Sequence, residues 1–285
     1  MTHEIHVVAG TGDAVDEGRL IASLLAAGWQ APARSAGLAY ANPDTGVTAW
    51  IESLTPDLPA GYRGLDLGLV LNDVRASWFG LETIPGFAAA VGSSGALVFD
   101  PQADRPTPEP PDTVRLISSW TRGNEAAVAV ARASGEAPPW LDPDRSIAWW
   151  RYQRALPRLR RGFAADRYVP SLRLIRRTGS DRVERAMSWP DAVPTLLPPC
   201  DLIILLRSDP VAGFVITGVA SAQIVHERLD GVTERVELDV PDPMELILVG
   251  PDRAPGVADR LASVPTESFE GFEAVAPDAF VDVPG

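Results

Sequence analysis

Lysine is absent from this chain of 285 residues, and its basic residues are all arginines, 25 in number. Without lysine, the protein cannot form a Schiff base through a side-chain amine or contain a Walker-type phosphate-binding loop. The preference for arginine accompanies abundant alanine, proline and aspartate, which is typical of a GC-rich bacterial genome. The arginine content therefore describes the genome more than the function.

Cysteine and long apolar runs are also scarce. Cys200 is the single cysteine, so no disulfide can form within the chain. The most apolar segments, residues 202–206 and 214–220, have the length of strands, well below the roughly 20 residues of a membrane-spanning helix. The first residues show neither the basic start nor the apolar block of a secretory signal. We therefore predict a cytoplasmic protein that does not contact a membrane.

Basic residues are rare outside one segment of the chain. The net charge is −13, yet residues 145–185 contain twelve arginines and only three acids, a local balance of +9. A total of −13 with +9 in this segment leaves −22 for the rest of the chain. Such an acidic protein does not coat nucleic acid with its whole surface, although one local basic site is compatible with the charge.

The pattern of apolar residues predicts an α+β protein. Strands and helices follow the order β-α-β-β-β-α-β over the first hundred residues, which favours a ferredoxin-like α/β sandwich with one added strand. The predicted elements are residues 5–8, 16–27, 37–41, 47–53, 65–71, 81–91 and 96–99. Residues 1–100 form the first predicted domain.

The second half of the chain predicts helices followed by a largely antiparallel sheet. Residues 101–113 are rich in proline and lack large apolar side chains, so we predict a linker there and a second domain over residues 114–265. The predicted elements are helices at 114–120 and 124–134, a hairpin of 168–177 with 182–189, and strands at 202–206, 214–219, 236–240 and 245–249. Residues 266–285 contain five acids and little periodicity, which predicts a loosely docked acidic tail.

Residues 145–163 have the clearest helical pattern. One face of this helix carries apolar residues at intervals of three and four, namely Trp149, Tyr152, Leu156, Leu159 and Phe163. The opposite face carries four arginines in the same rhythm, here named the helix arginine face: Arg151, Arg154, Arg158 and Arg161. Pro157 lies inside the pattern and predicts a kink or break near residue 156. Arg173 and Arg177 continue the basic character into the following hairpin.

The helix arginine face has three interpretations. Guanidinium groups bind oxyanions in a bidentate manner, so the face is suited to an acidic protein partner or a small anionic ligand. The simplest interpretation is an exposed helix face that the protein's own excess of carboxylates neutralises. A nucleic-acid surface is the weaker alternative, because Trp149 and Tyr152 lie on the opposite face and not among the arginines.

Two motifs near the N-terminus resemble sites but do not meet their requirements. His3 and His6 could ligate a metal, yet residues three apart on a strand point to opposite faces, so we predict a flexible end there. Residues 10–13, Gly-Thr-Gly-Asp, resemble the start of a nucleotide-binding turn. Val15 replaces the third glycine, and the helix that follows begins with two acids, which repel a pyrophosphate. We predict neither a metal nor a cofactor.

Cys200, Asp201 and His226 are the set that resembles a nucleophile, a carboxylate and a base. Their chemistry requires the thiol and the imidazole within hydrogen-bond distance, and a thiol with a lowered pKa. Cys200 opens an apolar strand, where a lone cysteine is more often part of the core. No serine lies in a Gly-x-Ser-x-Gly elbow, and carboxylates are too numerous for spacing to select a pair. These three residues are the first to test if the protein is an enzyme.

The lack of a catalytic motif favours a protein that works by binding. We therefore predict a non-enzymatic accessory protein that docks an acidic partner through the arginine-rich helix and hairpin. The contacting residues would be Arg151, Arg154, Arg158, Arg161, Arg173 and Arg177. The alternatives are an enzyme of unknown class with a site between the two domains, and a nucleic-acid binder that uses the same arginines.

Overall fold

The computed structural model describes residues 1–283 except 33–36, 164–166, 238–244 and 251–253. Helices and strands make up about 33% and 32% of the chain, respectively. The strands form several mostly antiparallel sheets instead of alternating with helices around one parallel sheet. The predicted α+β class is therefore confirmed. In the described residues, no helix is long and apolar enough to cross a membrane.

The chain divides into two compact units. The first comprises Met1–Pro138 together with Asp278–Val283, and the second comprises Pro139–Pro277. This division puts the helical segment after residue 113 in the first unit, whereas the sequence analysis assigned it to the second domain. The domain boundaries drawn from the sequence stay predictions.

The first unit is built on one antiparallel sheet. Its elements are β1 (Thr2–Gly10), α1 (Glu17–Ala26), β2 (Leu38–Asn42), β3 (Val47–Glu52), β4 (Tyr62–Asn72), α2 (Trp78–Ser94), β5 (Leu97–Phe99) and α3 (Thr113–Ala133). Up to β5 they follow the predicted β-α-β-β-β-α-β order. The sheet order is β2-β3-β4-β1-β5, so the N-terminal strand lies between two neighbours. The ferredoxin-like description of this unit stays a prediction.

The core of the first unit lies where α1 and α2 pack together and against the sheet. Ile5 and Val8 of β1 are fully buried, because this strand has apolar side chains on both faces. Leu20 and Leu24, one helical turn apart, are the buried residues of α1. The helix α2 is buried along most of its length and begins at Trp78, three residues before the predicted start at 81.

A single helix, α3, stands where the sequence predicted two. Asp112 caps its N-terminus by accepting hydrogen bonds from the amides of Val114 and Arg115. In the middle of the helix, the buried Asn124 accepts from the Arg75 amide at 3.0 Å and donates to the Arg75 carbonyl at 2.8 Å. These tertiary contacts hold α3 in one piece where local propensity alone predicts an interruption.

The second unit contains a longer series of strands. Its elements are α4 (Pro143–Gly162), β6 (Leu172–Arg177), β7 (Val183–Pro190), β8 (Thr195–Leu197), β9 (Leu202–Asp209), β10 (Gly213–Ser221), α5 (Ala222–Arg228), β11 (Thr233–Glu237), β12 (Glu245–Val249), α6 (Ala254–Ala262) and β13 (Phe272–Ala274). The two sheets have the orders β10-β9-β7-β6-β13 and β11-β12-β8. The β7–β9 pair is parallel and the other pairs are antiparallel. Of the predicted strand 236–240, residues 238–240 lie outside the described part of the chain.

Helix α4 continues through Pro157 to Gly162, so of the kink or break predicted near residue 156 the break is wrong. Buried residues that precede the proline stabilise the helix through tertiary contacts. Trp149 Nε1 donates to the Leu172 carbonyl at 3.2 Å, and the Tyr152 hydroxyl donates to the Pro170 carbonyl at 2.6 Å. Anchoring of this kind offsets the hydrogen bond that proline removes.

Residues 278–283 pack tightly within the first unit. Phe280 and Val281 are fully buried, and the Phe280 ring lies 5.2 Å from the Trp78 ring. The Asp282 carboxylate accepts hydrogen bonds from the amide and the hydroxyl of Ser77, at 2.8 and 2.6 Å. The prediction of a loosely docked tail is therefore wrong for these residues.

Candidate functional site

The helix arginine face lies on the exposed side of α4. Arg151, Arg154, Arg158 and Arg161 are all exposed. The apolar residues of the opposite side, Trp149, Tyr152, Leu156 and Leu159, are buried, whereas Phe163 follows the helix and is partly exposed. The two-sided pattern read from the sequence is therefore present in the folded helix.

Three of the four arginines on the helix arginine face lack an ion pair within the part of the chain that the structure describes. Arg154, Arg158 and Arg161 form no ion pair with any residue that the structure describes. The Arg154 guanidinium lies over the Trp150 ring at 4.8 Å from its centroid, a cation–π contact that keeps the charge at the surface. Asp166, a nearby acid in the sequence, lies outside the described residues.

The hairpin arginines behave differently from those of α4. Arg177 forms a bidentate ion pair with Glu267 and lies 3.7 Å from Glu184, and Arg176 pairs with Glu273 at 2.7 Å. Arg173 is exposed without an ion pair among the described residues. It alternates with the buried Leu172 and Leu174 and so points to the opposite face of the strand from them.

The carboxylate of Asp201 belongs to a cluster of arginines. It accepts hydrogen bonds from the amide, Nε and Nη2 of Arg185 at 2.9–3.1 Å, and Arg145 Nη1 lies 3.1 Å away. The Arg185 side chain is only 8% exposed, and that of Asp201 only 12%. Burial raises the pKa of Asp201, but the hydrogen bonds and charge of Arg185 outweigh burial, and the pKa falls below its usual value. The geometry is that of a structural ion pair.

Cys200 and His226 do not join Asp201 in a catalytic arrangement. In the described part of the chain, no hydrogen bond links any two of these three residues. Burial and the neighbouring Asp201 charge raise the pKa of the Cys200 thiol to about 12, opposite to what a nucleophilic cysteine requires. Burial also lowers the pKa of His226, whose buried Nε2 has no hydrogen-bond partner among the described residues.

We expect Cys200 to react slowly with alkylating reagents in the folded protein. A thiol with a pKa near 12 is almost entirely protonated at pH 8, whereas an unfolded cysteine has a pKa of about 8.5. Labelling by iodoacetamide, followed by mass spectrometry, should be at least about tenfold slower in buffer than in urea. Equal rates in the two solvents would show that the thiol is accessible and activated.

The N-terminal histidines belong to the core, so the predicted flexible end is wrong. His3 is fully buried, and its Nε2 lies 3.3 Å from Asp100 Oδ2. A side chain at Gly123 would place its Cβ 3.1 Å from His3 Nδ1, so the glycine of α3 makes room for the imidazole. His6 is also buried, and burial lowers its pKa. In the described residues, no group of three or more metal-ligating side chains comes together.

A cavity of about 520 Å³ lies beside Asp100, and sequence reasoning missed it. Residues of the 100–109 segment and of α3 line it, including Asp100, Arg105, Ser119 and Arg122. The signal in the sequence was a helical spacing of polar residues at positions 115, 118, 119 and 122, next to a segment interpreted as a linker. A bridge between Val98 and Glu109 joins this segment to β5, and the Asp104–Arg122 ion pair connects it to α3.

Comparisons with protein-family models, with curated proteins and with solved structures find no match to this chain.

Proposed function

We propose that this protein is a non-enzymatic accessory protein that docks an acidic protein partner through the helix arginine face. The observation that carries the proposal is the state of Arg154, Arg158 and Arg161. All three are exposed and lack an ion pair with the described residues, in a chain with a net charge of −13.

The difference between the arginines that form ion pairs and those that do not supports this proposal. The chain has 38 acidic residues, so neutralising every exposed arginine from within would be easy. Arg176 and Arg177 of the hairpin are neutralised in this way, whereas Arg154, Arg158 and Arg161 form no ion pair with the described residues. A row of unneutralised guanidinium groups attracts a surface of opposite charge and fixes its orientation through bidentate contacts.

The aromatic residues favour a protein partner over nucleic acid. A surface for single strands stacks bases on exposed aromatic rings placed among its basic residues. On α4, Trp149 and Tyr152 are buried, and Trp150 is only 7% exposed beneath Arg154. The helix arginine face therefore carries positive charge, but the aromatic rings of α4 are not exposed for bases to stack on. The enzyme alternative has no comparable support, because Cys200, Asp201 and His226 are not joined by hydrogen bonds.

The double variant Arg154→Glu/Arg158→Glu tests the proposal. We expect the wild-type protein to bind a fluorescently labelled poly-glutamate peptide, with an affinity that falls as salt rises from about 0.1 M to 1 M and shortens the screening length. In fluorescence anisotropy at the lower salt, the double variant should bind at least about tenfold more weakly, a loss of about 1.4 kcal/mol, because two attractive contacts become repulsive.

A matched control is Arg182→Glu/Arg207→Glu, which makes the same charge change at exposed arginines outside the helix arginine face. This control should retain most of the peptide binding. If both double variants weaken binding equally, attraction follows net charge alone and the proposed surface is wrong. Tighter binding of a single-stranded oligonucleotide of the same net charge would favour the nucleic-acid alternative instead.

A further inference from the structure

The cavity between the 100–109 segment and α3 has a polar floor. Asp100 and Ser119, only 7% and 5% exposed, line it together with the buried Leu116. Its volume of about 520 Å³ falls within the range of small-molecule sites, roughly 300–1,000 Å³. Every residue that lines the cavity belongs to the first unit, so the site shares no residue with the helix arginine face.

Asp100 is held in one orientation as an ionised carboxylate. Its Oδ2 lies 3.3 Å from Nε2 of the fully buried His3, and its Oδ1 accepts from the Gln102 amide at 2.8 Å. Burial raises the pKa of Asp100, but the hydrogen bond and charge of His3 outweigh it and bring the pKa below its usual value. The cavity therefore has an ionised carboxylate at its floor.

Ser119 is the second polar group on this floor. Its hydroxyl is buried and makes no hydrogen bond of acceptable geometry with the described residues, although it lies close enough to Asp100 to favour the ionised carboxylate. Leaving a buried hydroxyl without a hydrogen-bond partner is unfavourable. A ligand that hydrogen-bonds to Ser119 would recover this cost.

Three arginines line the rim of the cavity, and two of them form ion pairs across it. Arg115 pairs with Glu109, and Arg122 pairs with Asp104, so two ion pairs connect the 100–109 segment to α3. Arg105 also lines the cavity and is exposed, and it forms no ion pair with the described residues. Of the three rim arginines, Arg105 is therefore the one whose guanidinium is available to an anionic group.

The geometry points to a binding site for a small zwitterion of amino-acid or dipeptide size. Its ammonium group would donate to Asp100 and Ser119, because an ammonium has three donors and compensates a carboxylate that loses water. Its carboxylate would be bound by Arg105 in a bidentate manner. The floor and the rim thus select a positive and a negative group on one molecule. This inference does not depend on the proposed partner of α4.

Isothermal titration of the full chain with L-leucine, L-glutamate, L-arginine and the dipeptide alanyl-leucine tests the site. At least one of these zwitterions should bind, whereas butylamine and butyrate, which each carry only one of the two charges, should bind at least about tenfold more weakly. Ser119→Ala and Arg105→Ala should each weaken the binding of that zwitterion by about fivefold to tenfold.

These two variants leave the His3–Asp100 contact in place, so the fold is expected to persist and thermal unfolding serves as the check. Ser118→Ala, at an exposed serine of the same wall, is the matched control and should bind like the wild type. The inference is overturned if none of the four zwitterions binds. It is also overturned if Ser119→Ala and Arg105→Ala bind the active zwitterion as tightly as the control.

Discussion

Replacing Asp201 with alanine is expected to lower the free energy of unfolding of the second unit by about 3–5 kcal/mol. Removing one partner of a buried ion pair leaves the other charge uncompensated, which costs this much in other proteins. Here the charge left without its partner is that of Arg185, whose side chain is 8% exposed. Its Nη2 lies 3.0 Å from Oδ1 of Asp201. Urea unfolding followed by tryptophan fluorescence measures the change.

Two further variants identify the cause of this loss. Arg176→Ala removes the exposed pair with Glu273 and should cost no more than about 1 kcal/mol. The double variant Arg185→Met/Asp201→Leu replaces both charges by apolar groups and should recover part of the stability lost by Asp201→Ala. A loss below about 1 kcal/mol for Asp201→Ala would mean that water already solvates this pair.

The contribution of Asp201 should also depend on pH in a defined direction. The pKa of its carboxyl is lower in the folded protein than in the unfolded chain, where it is about 3.9. The stabilisation is therefore fully present above about pH 5 and is lost as the pH falls through 3.9 toward the folded pKa. The stability difference between the wild type and Asp201→Asn should shrink over this acidic range and stay constant near neutral pH.

Replacing Phe280 with alanine is expected to destabilise the first unit by about 3–5 kcal/mol, the usual cost of removing a fully buried phenylalanine ring. The lost ring contacts Trp78 at the start of α2, so tryptophan fluorescence should report the transition. Phe214→Ala is the matched control, because Phe214 is 55% exposed and its removal should change stability by no more than about 0.5 kcal/mol.

Asp282 provides an independent test of the same segment. Its carboxylate lies at the N-terminus of α2, where the Ser77 side chain makes no capping hydrogen bond of its own, and it accepts from the Ser77 amide and hydroxyl. Asp282→Ala should therefore cost about 1–2 kcal/mol through the lost cap. If deletion of residues 278–285 leaves the free energy of unfolding of the first unit unchanged, this segment does not stabilise the unit as described.

Local periodicity predicted the elements of the first hundred residues but missed β8, α5, α6 and β13 in the second unit. Intervals of three and four residues correctly predicted the buried and exposed sides of α4, and the pattern of apolar residues predicted the succession of strands and helices along residues 1–100. Pro157 and the middle of α3 were misread as interruptions. Helix interiors are stabilised by packing as well as by propensity, and the contacts of Tyr152 and Asn124 are invisible to a local pattern.

Both chain ends were misread for a related reason. His3 contacts a residue 97 positions away, and Asp282 contacts one 205 positions away. Polar residues near a terminus indicate exposure when only their neighbours are considered. Burial of His3 depends on β1 lying between two strands of the sheet, and burial of Phe280 depends on α2, so only the folded chain reveals either.

The sequence by itself determined the α+β class, the amphipathic character of α4 and the position of the arginine-rich segment, because each depends on the order and spacing of nearby residues. Only the tertiary structure decided which arginines are neutralised and which are not. Arg158 and Arg177 are the same residue type in the sequence. In the folded chain, Glu267, 90 residues beyond Arg177, forms an ion pair with Arg177 and not with Arg158. The cavity beside Asp100 also depends on the tertiary structure, since its floor and rim come from segments that meet only when the chain folds.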